Sequence, residues 1–429
     1  MGCTLTKDAR VSEREVRLKE GEELLLMRLG HAEHLPSLDV GSESDVFVVM
    51  DLLDAHGHVV ASAKWPVKWD NNHPVWNSCR PLGTAPPGGA GMTVRLKLYD
   101  HDEDPLGKVQ RAELIGTASI ALSELRVGEA PSSLPVELKQ SKLQKAVRRL
   151  SVRLSAAGET KPEPRPLITL ARVVPEAAPP RKTVYLVRHG ESVWNAAQAN
   201  KDVVAMLSAV DHPLNETGRS QAERLAEQLA AGGSEAEEVL RATLVVCSPL
   251  TRAIQTCLVG LAPLLAREGG SVQLNPNARE KRNFGGKDSS GKHVGDAITA
   301  DLERSMRALY PAAGKAEELL RPHIDLELVQ TQWWLGQKEE EAHVVARTKE
   351  LLAQLRYCEA RSIVLVGHSH YFRELFRNFM PEAAQALAPD LLKKKLSNCG
   401  MVAIDLNWAD QPKKPVAGAR LLFDTELVD

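Results

Sequence analysis

An all-β sandwich joined to an α/β domain is the architecture this sequence predicts, and three changes of texture along its 429 residues predict it. Residues 14–156 alternate apolar and polar in short runs, such as Glu23-Leu24-Leu25-Leu26-Met27 and Val46-Phe47-Val48-Val49-Met50, between loops rich in Asp, Gly and Pro. A period of two with frequent turns is the mark of antiparallel strands that bury one face. Residues 157–182 hold Pro162, Pro164, Pro166, Pro175, Pro179 and Pro180. Chain so rich in proline is semi-extended, and it is expected to link two domains. Residues 183–429 run strand, loop, long helix, strand. Val184-Tyr185-Leu186-Val187 and Ile363-Val364-Leu365-Val366 read as buried parallel strands, and residues 221–230 and 340–355 have the helical period. Residues 401–406 are expected at the edge of the sheet.

The length suits two domains of unequal size. A formal net charge of −2 supplies no long-range positive field, so nucleic acid is not the expected partner. No apolar run reaches the ~18 residues that a spanning helix needs, and no secretory apolar region follows Met1. The six cysteines, Cys3, Cys79, Cys247, Cys257, Cys358 and Cys399, show no CxxC pair and no metal-ligand spacing. That usage fits a reducing compartment. Residues 1–13 read as an address. Met1-Gly2-Cys3-Thr4-Leu5-Thr6 fits the acceptor pattern for a myristoyl chain on Gly2. One such chain binds membranes weakly, with a constant of about 10⁴ M⁻¹, and Cys3 is placed to carry a palmitoyl chain as the second signal. The expected location is the cytoplasmic face of a membrane.

Within the first domain, Leu38-Asp39-Val40-Gly41-Ser42-Glu43-Ser44-Asp45 and Leu98-Tyr99-Asp100-His101-Asp102 place carboxylates in two loops beside β-runs. Asn72-His73-Pro74-Val75-Trp76-Asn77 lies between them, and Glu113-Leu114-Ile115-Gly116 follows. Hard cations such as Ca²⁺ take about 6–8 oxygen ligands and need clustered charge of this kind. These segments resemble a C2 domain, the calcium- and phospholipid-binding sandwich, over residues 20–156. The resemblance implies Ca²⁺ ligands at Asp39, Asp45, Asp100 and Asp102, with Glu113 in the fifth position. It also implies anionic membrane phospholipid as a partner. The fifth position departs from the family in being Glu, and the stretch before it is long, so Asp104 is an alternative ligand. Lys142, Lys145, Arg148, Arg149 and Arg153 form a basic run that suits either lipid headgroups or a solvated edge.

In the second domain, Leu186-Val187 runs into Arg188-His189-Gly190-Glu191-Ser192. A second strand runs into Gly367-His368-Ser369-His370, and Leu244-Val245-Val246-Cys247 runs into Ser248-Pro249-Leu250-Thr251-Arg252. Ligands of parallel sheets sit past the carboxyl ends of strands. Two histidines and two arginines delivered there make a cationic pocket for a dianion, and a phosphomonoester fits. With Asn195, Leu214-Asn215-Glu216-Thr217-Gly218 and Ala253-Ile254-Gln255-Thr256 added, the order and spacing resemble the histidine phosphatase superfamily, which includes phosphoglycerate mutases. The resemblance covers residues 183–405 and implies a three-layer α/β fold. It makes His189 the nucleophile, with Arg188, Arg252 and His368 holding the transferred phosphoryl group. Asn195, Ser192 and Ser369 take phosphate-binding roles, and Glu280 is the proton donor. The usual Glu-Gly ending is missing near Glu280, so Asp288 stays as the alternative acid. No cofactor is needed for this chemistry. Residues 285–335 are expected to form a lid, whose Lys287 and Lys292, with Lys281 and Arg282 just before it, suit a second phosphate or a solvated loop. The activity implied is that of a membrane-associated phosphomonoesterase. A mutase-like phosphotransferase and an inactive phosphate-binding adaptor are the alternatives.

Overall fold

The structure, a computed structural model, describes residues 22–38, 43–69, 71–103, 110–139, 164–173, 181–282, 287–312, 314–334 and 338–429, without the side chains of residues 102, 103, 110 and 111. Gly2, Cys3, Asp39, Asp104 and the basic run from Lys142 to Arg153 lie outside the described residues, as does the side chain of Asp102. The chain divides into two compact units, residues 1–176 and 177–429.

The first unit is a β-sandwich. Its strands are β1 (Glu23–Glu33), β2 (Val46–Leu53), β3 (Val59–Lys64), β4 (Val75–Ala85), β5 (Thr93–Glu103), β6 (Gln110–Ala121), β7 (Ser132–Pro135), β8 (Glu137–Leu138) and β9 (Leu167–Val173). One sheet has the order β4-β1-β9-β7 and the other β3-β2-β5-β6-β8, with antiparallel pairing throughout. Alternation decides which side chains meet. Val94, Leu96 and Leu98 of β5 enter the core with Val48 and Met50 of β2 and Leu25, Met27 and Leu29 of β1. The intervening Phe47, Val49 and Tyr99 form a separate cluster on the other face, where the Lys64 ammonium covers the Phe47 ring at 3.9 Å.

Strand β9 corrects the expected linker. Its seven residues contain no proline, Ile168 and Leu170 are fully buried in the sandwich core, and Arg172 pairs with Glu23 at 2.6 Å. Proline on both sides raises the local average and hides a short strand whose own alternation is regular. The strand that opens the second unit likewise begins at Arg181, inside the same proline-rich stretch.

The second unit is an α/β layer structure. Strands β10 (Arg181–Arg188), β11 (Leu244–Cys247), β12 (Ser271–Leu274), β13 (His323–Asp325), β14 (Ser362–Gly367), β16 (Met401–Asn407) and β17 (Val416–Leu422) form a sheet of order β13-β12-β11-β14-β10-β16-β17; β15 (Lys395–Leu396) lies outside it. The first five of that order are parallel, while β16 and β17 are antiparallel. Residues 401–406 are therefore covered by β17 rather than at the edge. Helices α1 (Val193–Ala199), α2 (Val203–Leu207), α3 (Glu216–Ala231), α4 (Thr251–Gly260), α5 (Asp296–Leu309), α6 (Glu341–Tyr357) and α7 (Ser369–Phe379) are the ones that matter for the site. Tyr185, Val187, Val364 and Val366 pack with α3, α4 and α5 through Leu225, Ile254 and Met306. Val184, Leu186, Ile363 and Leu365 pack with α6 and α7 through Leu351, Phe372 and Phe376. Strands buried on both faces explain the unbroken apolar runs in the sequence. The expected lid is also corrected in part. Helix α5, in its middle, buries Ile298, Leu302 and Met306 in the core, so that stretch is scaffold. Among the described residues no helix is long and apolar enough to cross a membrane.

Candidate active site

Strands β11, β14 and β10 are parallel neighbours, so their carboxyl ends open at one edge of the sheet. Each delivers polar cargo there: His189 after β10, Ser248 and Arg252 after β11, His368 and Ser369 after β14. The turn after His189 requires close backbone approach. A Cβ on Gly190 would meet the Gly218 carbonyl oxygen at 2.7 Å, and one on Gly218 would sit 2.0 Å from the Glu191 oxygen. Gly190 N–H donates to Thr256 Oγ1 at 2.9 Å, and that hydroxyl donates to the Arg252 carbonyl at 2.7 Å. The histidine loop and the arginine helix are thereby fastened together.

His189 is buried, and its two ring nitrogens have different partners. Nδ1 lies 2.7 Å from the Gly190 carbonyl, which only accepts, so Nδ1 carries the proton. Nε2 receives Arg252 Nε–H at 3.3 Å, so it carries the lone pair. Burial first, then the Arg252 and Arg188 charges, push the imidazole well below the usual histidine range. The ring is therefore a neutral base with its lone pair held by a cation, the state a nitrogen nucleophile needs. Asn398 Nδ2 donates to the His189 carbonyl at 3.0 Å and braces the backbone.

The other cationic groups are equally confined. Arg252 is 1% exposed, gives one N–H to the Asp288 carbonyl at 2.6 Å, and lies 3.6 Å from the Asp288 carboxylate. Arg188 donates to the Leu396 carbonyl at 2.6 Å, its Nε has no partner among the described residues, and burial lowers it to about 10. It remains cationic at neutral pH. The His368 ring centre lies 5.0 Å from that of His189. Its Nε2 shares a 2.7 Å hydrogen bond with the Ser248 hydroxyl, and its buried Nδ1 is unpartnered among the described residues. Burial, then Arg252, keep His368 neutral as well.

Two carboxylates border the pocket. Glu280 accepts backbone N–H groups from Lys281 and Tyr371, both at 2.9 Å, and from His370 at 3.4 Å. The last two come from the first turn of α7, where the helix dipole favours an anion. The loop bearing Glu280 is anchored by a buried ion triad. Glu339 takes Arg279 at 2.7 Å and Arg347 at 2.8 and 3.0 Å, and Arg347 also donates to the Asn277 and Arg279 carbonyls. Burial opposes the Glu339 charge, but the two guanidiniums outweigh it and hold this carboxyl at about 2.

In the first unit, Asp100 is 1% exposed, and its oxygens accept the Ser44 hydroxyl at 3.1 Å and the Asp45 N–H at 2.7 Å. It ties the segment before β2 to β5, and Asp100 itself sits in that strand rather than in the expected loop. Glu113, the expected fifth ligand, lies inside β6, exposed and opposite Asp100 in register. No group of three or more metal-ligand side chains occurs among the described residues.

Residues 184–407 match the family model of the histidine phosphatase superfamily (branch 1), more than half of the chain. The chain belongs to that superfamily. Residues 23–135 match the C2 domain model. Among solved structures, it is similar to phosphoglycerate mutase from Bacillus anthracis, at 18% identity and TM-score 0.33, covering 57% of this chain and 93% of that one. It is similar to the ecdysone phosphate phosphatase of Bombix mori in complex with tungstate, at 14% identity and TM-score 0.31, covering 52% and 88%. A C2 domain of plant extended synaptotagmin 1 is similar at 19% identity and TM-score 0.24, covering 37% and 97%. No curated protein matches the chain.

In the histidine phosphatase domain, a cavity of about 450 Å³ gathers Arg188, His189, Asn195, Arg252, Glu280, Asp288 and Ser369. Ser192 differs from its expected role. It is fully buried, and its hydroxyl accepts Asn195 N–H at 3.2 Å and donates to Asn195 Oδ1 at 3.0 Å. It caps α1 and orients Asn195, and does not line the cavity. Sequence reasoning gave Thr256 no role of its own and did not find Glu339 or the cavity-lining Trp194, Val203, Met206 and Leu207. The basic groups expected to suit a second phosphate are largely engaged. Lys281 pairs with Glu374 at 3.0 Å, Lys292 with Asp301 at 2.6 Å, and Lys287 donates to the Leu207 carbonyl at 3.0 Å.

Proposed function

We propose that the protein is a phosphomonoester hydrolase that works through a phosphohistidine on His189 and is recruited to membranes by its C2 domain. The observation that supports this most is the state of His189: neutral, protonated on Nδ1, with the Nε2 lone pair beside Arg252. A phosphate dianion enters among Arg188, Arg252, Asn195 and Ser369, while the fully buried His368, its ring centre 5.0 Å from that of His189, lies outside the cavity lining. His189 Nε2 attacks phosphorus as the P–O bond to the alcohol breaks, and the arginines stabilise the charge on the three equatorial oxygens. The leaving alkoxide takes a proton from Glu280. Glu280 brings that proton to the step and regains it from water in the second half-reaction. Water then attacks the phosphohistidine, its proton passing to the Glu280 carboxylate, and free enzyme and phosphate are regenerated. The cavity-lining Lys281, engaged by Glu374, and Lys395, engaged by the Asp429 backbone oxygen, favour hydrolysis over a mutase cycle, which must hold a second phosphate.

Recruitment rests on the C2 domain and its carboxylates. Asp39, Asp45, Asp100 and Asp102 would hold Ca²⁺; Asp100 fits this role as well as its bracing one, because each carboxylate oxygen has a second lone pair. The ion would supply a positive bridge to anionic phospholipid. Acyl chains on Gly2 and Cys3 would add the anchor at the cytoplasmic face. Activity is tested on a panel of lipid, sugar, inositol and protein phosphomonoesters. Wild-type protein is expected to release phosphate from at least one class and Glu280→Gln to lose the step that needs leaving-group protonation, with Asp288→Asn retaining it. Full activity in Glu280→Gln would assign the proton to Asp288. Absence of turnover across the panel would leave the inactive adaptor.

A further inference from the structure

We propose that the alcohol carried by the substrate's phosphate is apolar, so that the site takes an amphiphilic phosphomonoester. This rests on the reading that His189 acts on a phosphomonoester, and it names the class. The cavity lining divides by chemistry. Arg188, His189 and Arg252 are what a phosphate requires, while Trp194, Val203, Met206 and Leu207, from α1 and α2, are apolar. Two of these apolar groups stand in water, Val203 at 61% and Leu207 at 49% exposure, and the next residue, Val204, is 82% exposed just outside the lining. Contiguous exposed apolar side chains at the mouth of a cavity are the mark of a binding surface.

Helix α2 is a built part of the site. Asp202 caps it by accepting Ala205 N–H at 3.0 Å, and the Ser208 hydroxyl donates to the Ala205 carbonyl at 2.7 Å. Lys287 Nζ holds the Leu207 carbonyl at 3.0 Å, and the Lys287 carbonyl accepts Asp211 N–H at 3.2 Å. The next residue, Asp288, accepts Arg252 through its carbonyl at 2.6 Å. One short turn therefore fixes both the phosphate-binding arginine and the apolar lip. The occupant of the lip is continuous with the phosphate, which makes it the leaving group. A second anion on the leaving group meets lysines already engaged: of those lining the cavity, Lys281 pairs with Glu374 at 3.0 Å and Lys395 donates to the Asp429 backbone oxygen at 2.9 Å. The amphiphile is either free in solution or embedded in a bilayer, and both sources share this chemistry.

The test uses the full chain and unreactive n-alkyl phosphonates of two to eight carbons, with affinity read by calorimetry. Each buried methylene is expected to tighten binding by about three- to fourfold until the lip is filled. Val203→Ser/Leu207→Ser, both exposed positions, should flatten that series. A flat wild-type series, or tighter binding of a glycerol phosphonate than of the hexyl compound, would overturn the proposal. Because the series reads binding, it stands whether or not turnover occurs. Turnover of the matching alkyl phosphates reports separately on hydrolysis. Comparison of monomeric octyl phosphate with phosphatidic acid in phosphatidylcholine vesicles then separates a free amphiphile from a membrane lipid.

Discussion

Replacing Glu339 by Gln should weaken the histidine phosphatase domain more than any substitution at its surface. The side chain of Glu339 is fully buried, and both of its oxygens are taken up by Arg279 and Arg347. Glutamine keeps the shape but removes the charge, leaving two buried guanidiniums facing each other. Breaking a buried ion pair from one side costs about 3–5 kcal/mol, because the remaining charge is uncompensated. For a domain of 150–250 residues each kcal/mol lowers Tm by roughly 2–4 °C, so a drop on the order of 6–20 °C is expected by calorimetry. The sign of the pH dependence follows from the carboxyl being held at about 2 against an ordinary 4.5. Its contribution is complete above pH 4.5 and is lost as pH falls toward 2, so wild type and variant should converge in acid. Glu280 is carried by the same loop, and its displacement should lower kcat with a smaller change in KM. A loss under about 1 kcal/mol at pH 7 would mean that the triad does not anchor the loop, and the positioning argument would fail.

Other outcomes follow from the site. His189 and His368 stay neutral when folded, while an unfolded chain takes up protons below about pH 6.5. Stability is therefore intact above pH 6.5 and should fall by about 1.4 kcal/mol per pH unit per ring below it; urea midpoints that fall equally in wild type and His189→Asn/His368→Asn would contradict this. Ser192→Ala should cost about 0.5–2 kcal/mol through the lost cap, and should raise KM by loosening Asn195, whereas unchanged kinetics would remove Asn195 from phosphate binding. Asp102→Asn should abolish any Ca²⁺-dependent sedimentation of the non-acylated protein with phosphatidylserine vesicles. Persistence of that binding would move the membrane contact away from the carboxylate loops.

The cargo at the strand ends was legible because it is local. A buried strand running into Arg188-His189-Gly190 fixes in a few residues where the side chains emerge, and parallel pairing brings three such ends to one edge. What was not legible is long-range or runs against composition. Glu339 meets Arg279 across sixty positions, a pairing that no spacing rule contains. Ser192 stands beside the residues proposed to bind phosphate, yet its hydroxyl serves a helix end, and only the fold determines which partner it takes. Helix α2 escaped notice because exposed valines and a leucine break the rule that apolar residues go inside. Strand β9 was obscured by the prolines around it. Asp100 reads as a metal ligand from its neighbours, while its burial and its bonds to Ser44 and Asp45 give it a second task.

Phosphate is proposed to pass through a covalent bond to His189, and trapping that bond tests this directly. Full-length protein is mixed with a radiolabelled alkyl phosphate for milliseconds and quenched in alkali, where a phosphohistidine survives, and the labelled peptide is then mapped. Label is expected on His189, stable in alkali and lost in acid, with none in His189→Asn, which should also release no phosphate. Label on another residue, or turnover by His189→Asn near the wild-type rate, would contradict it.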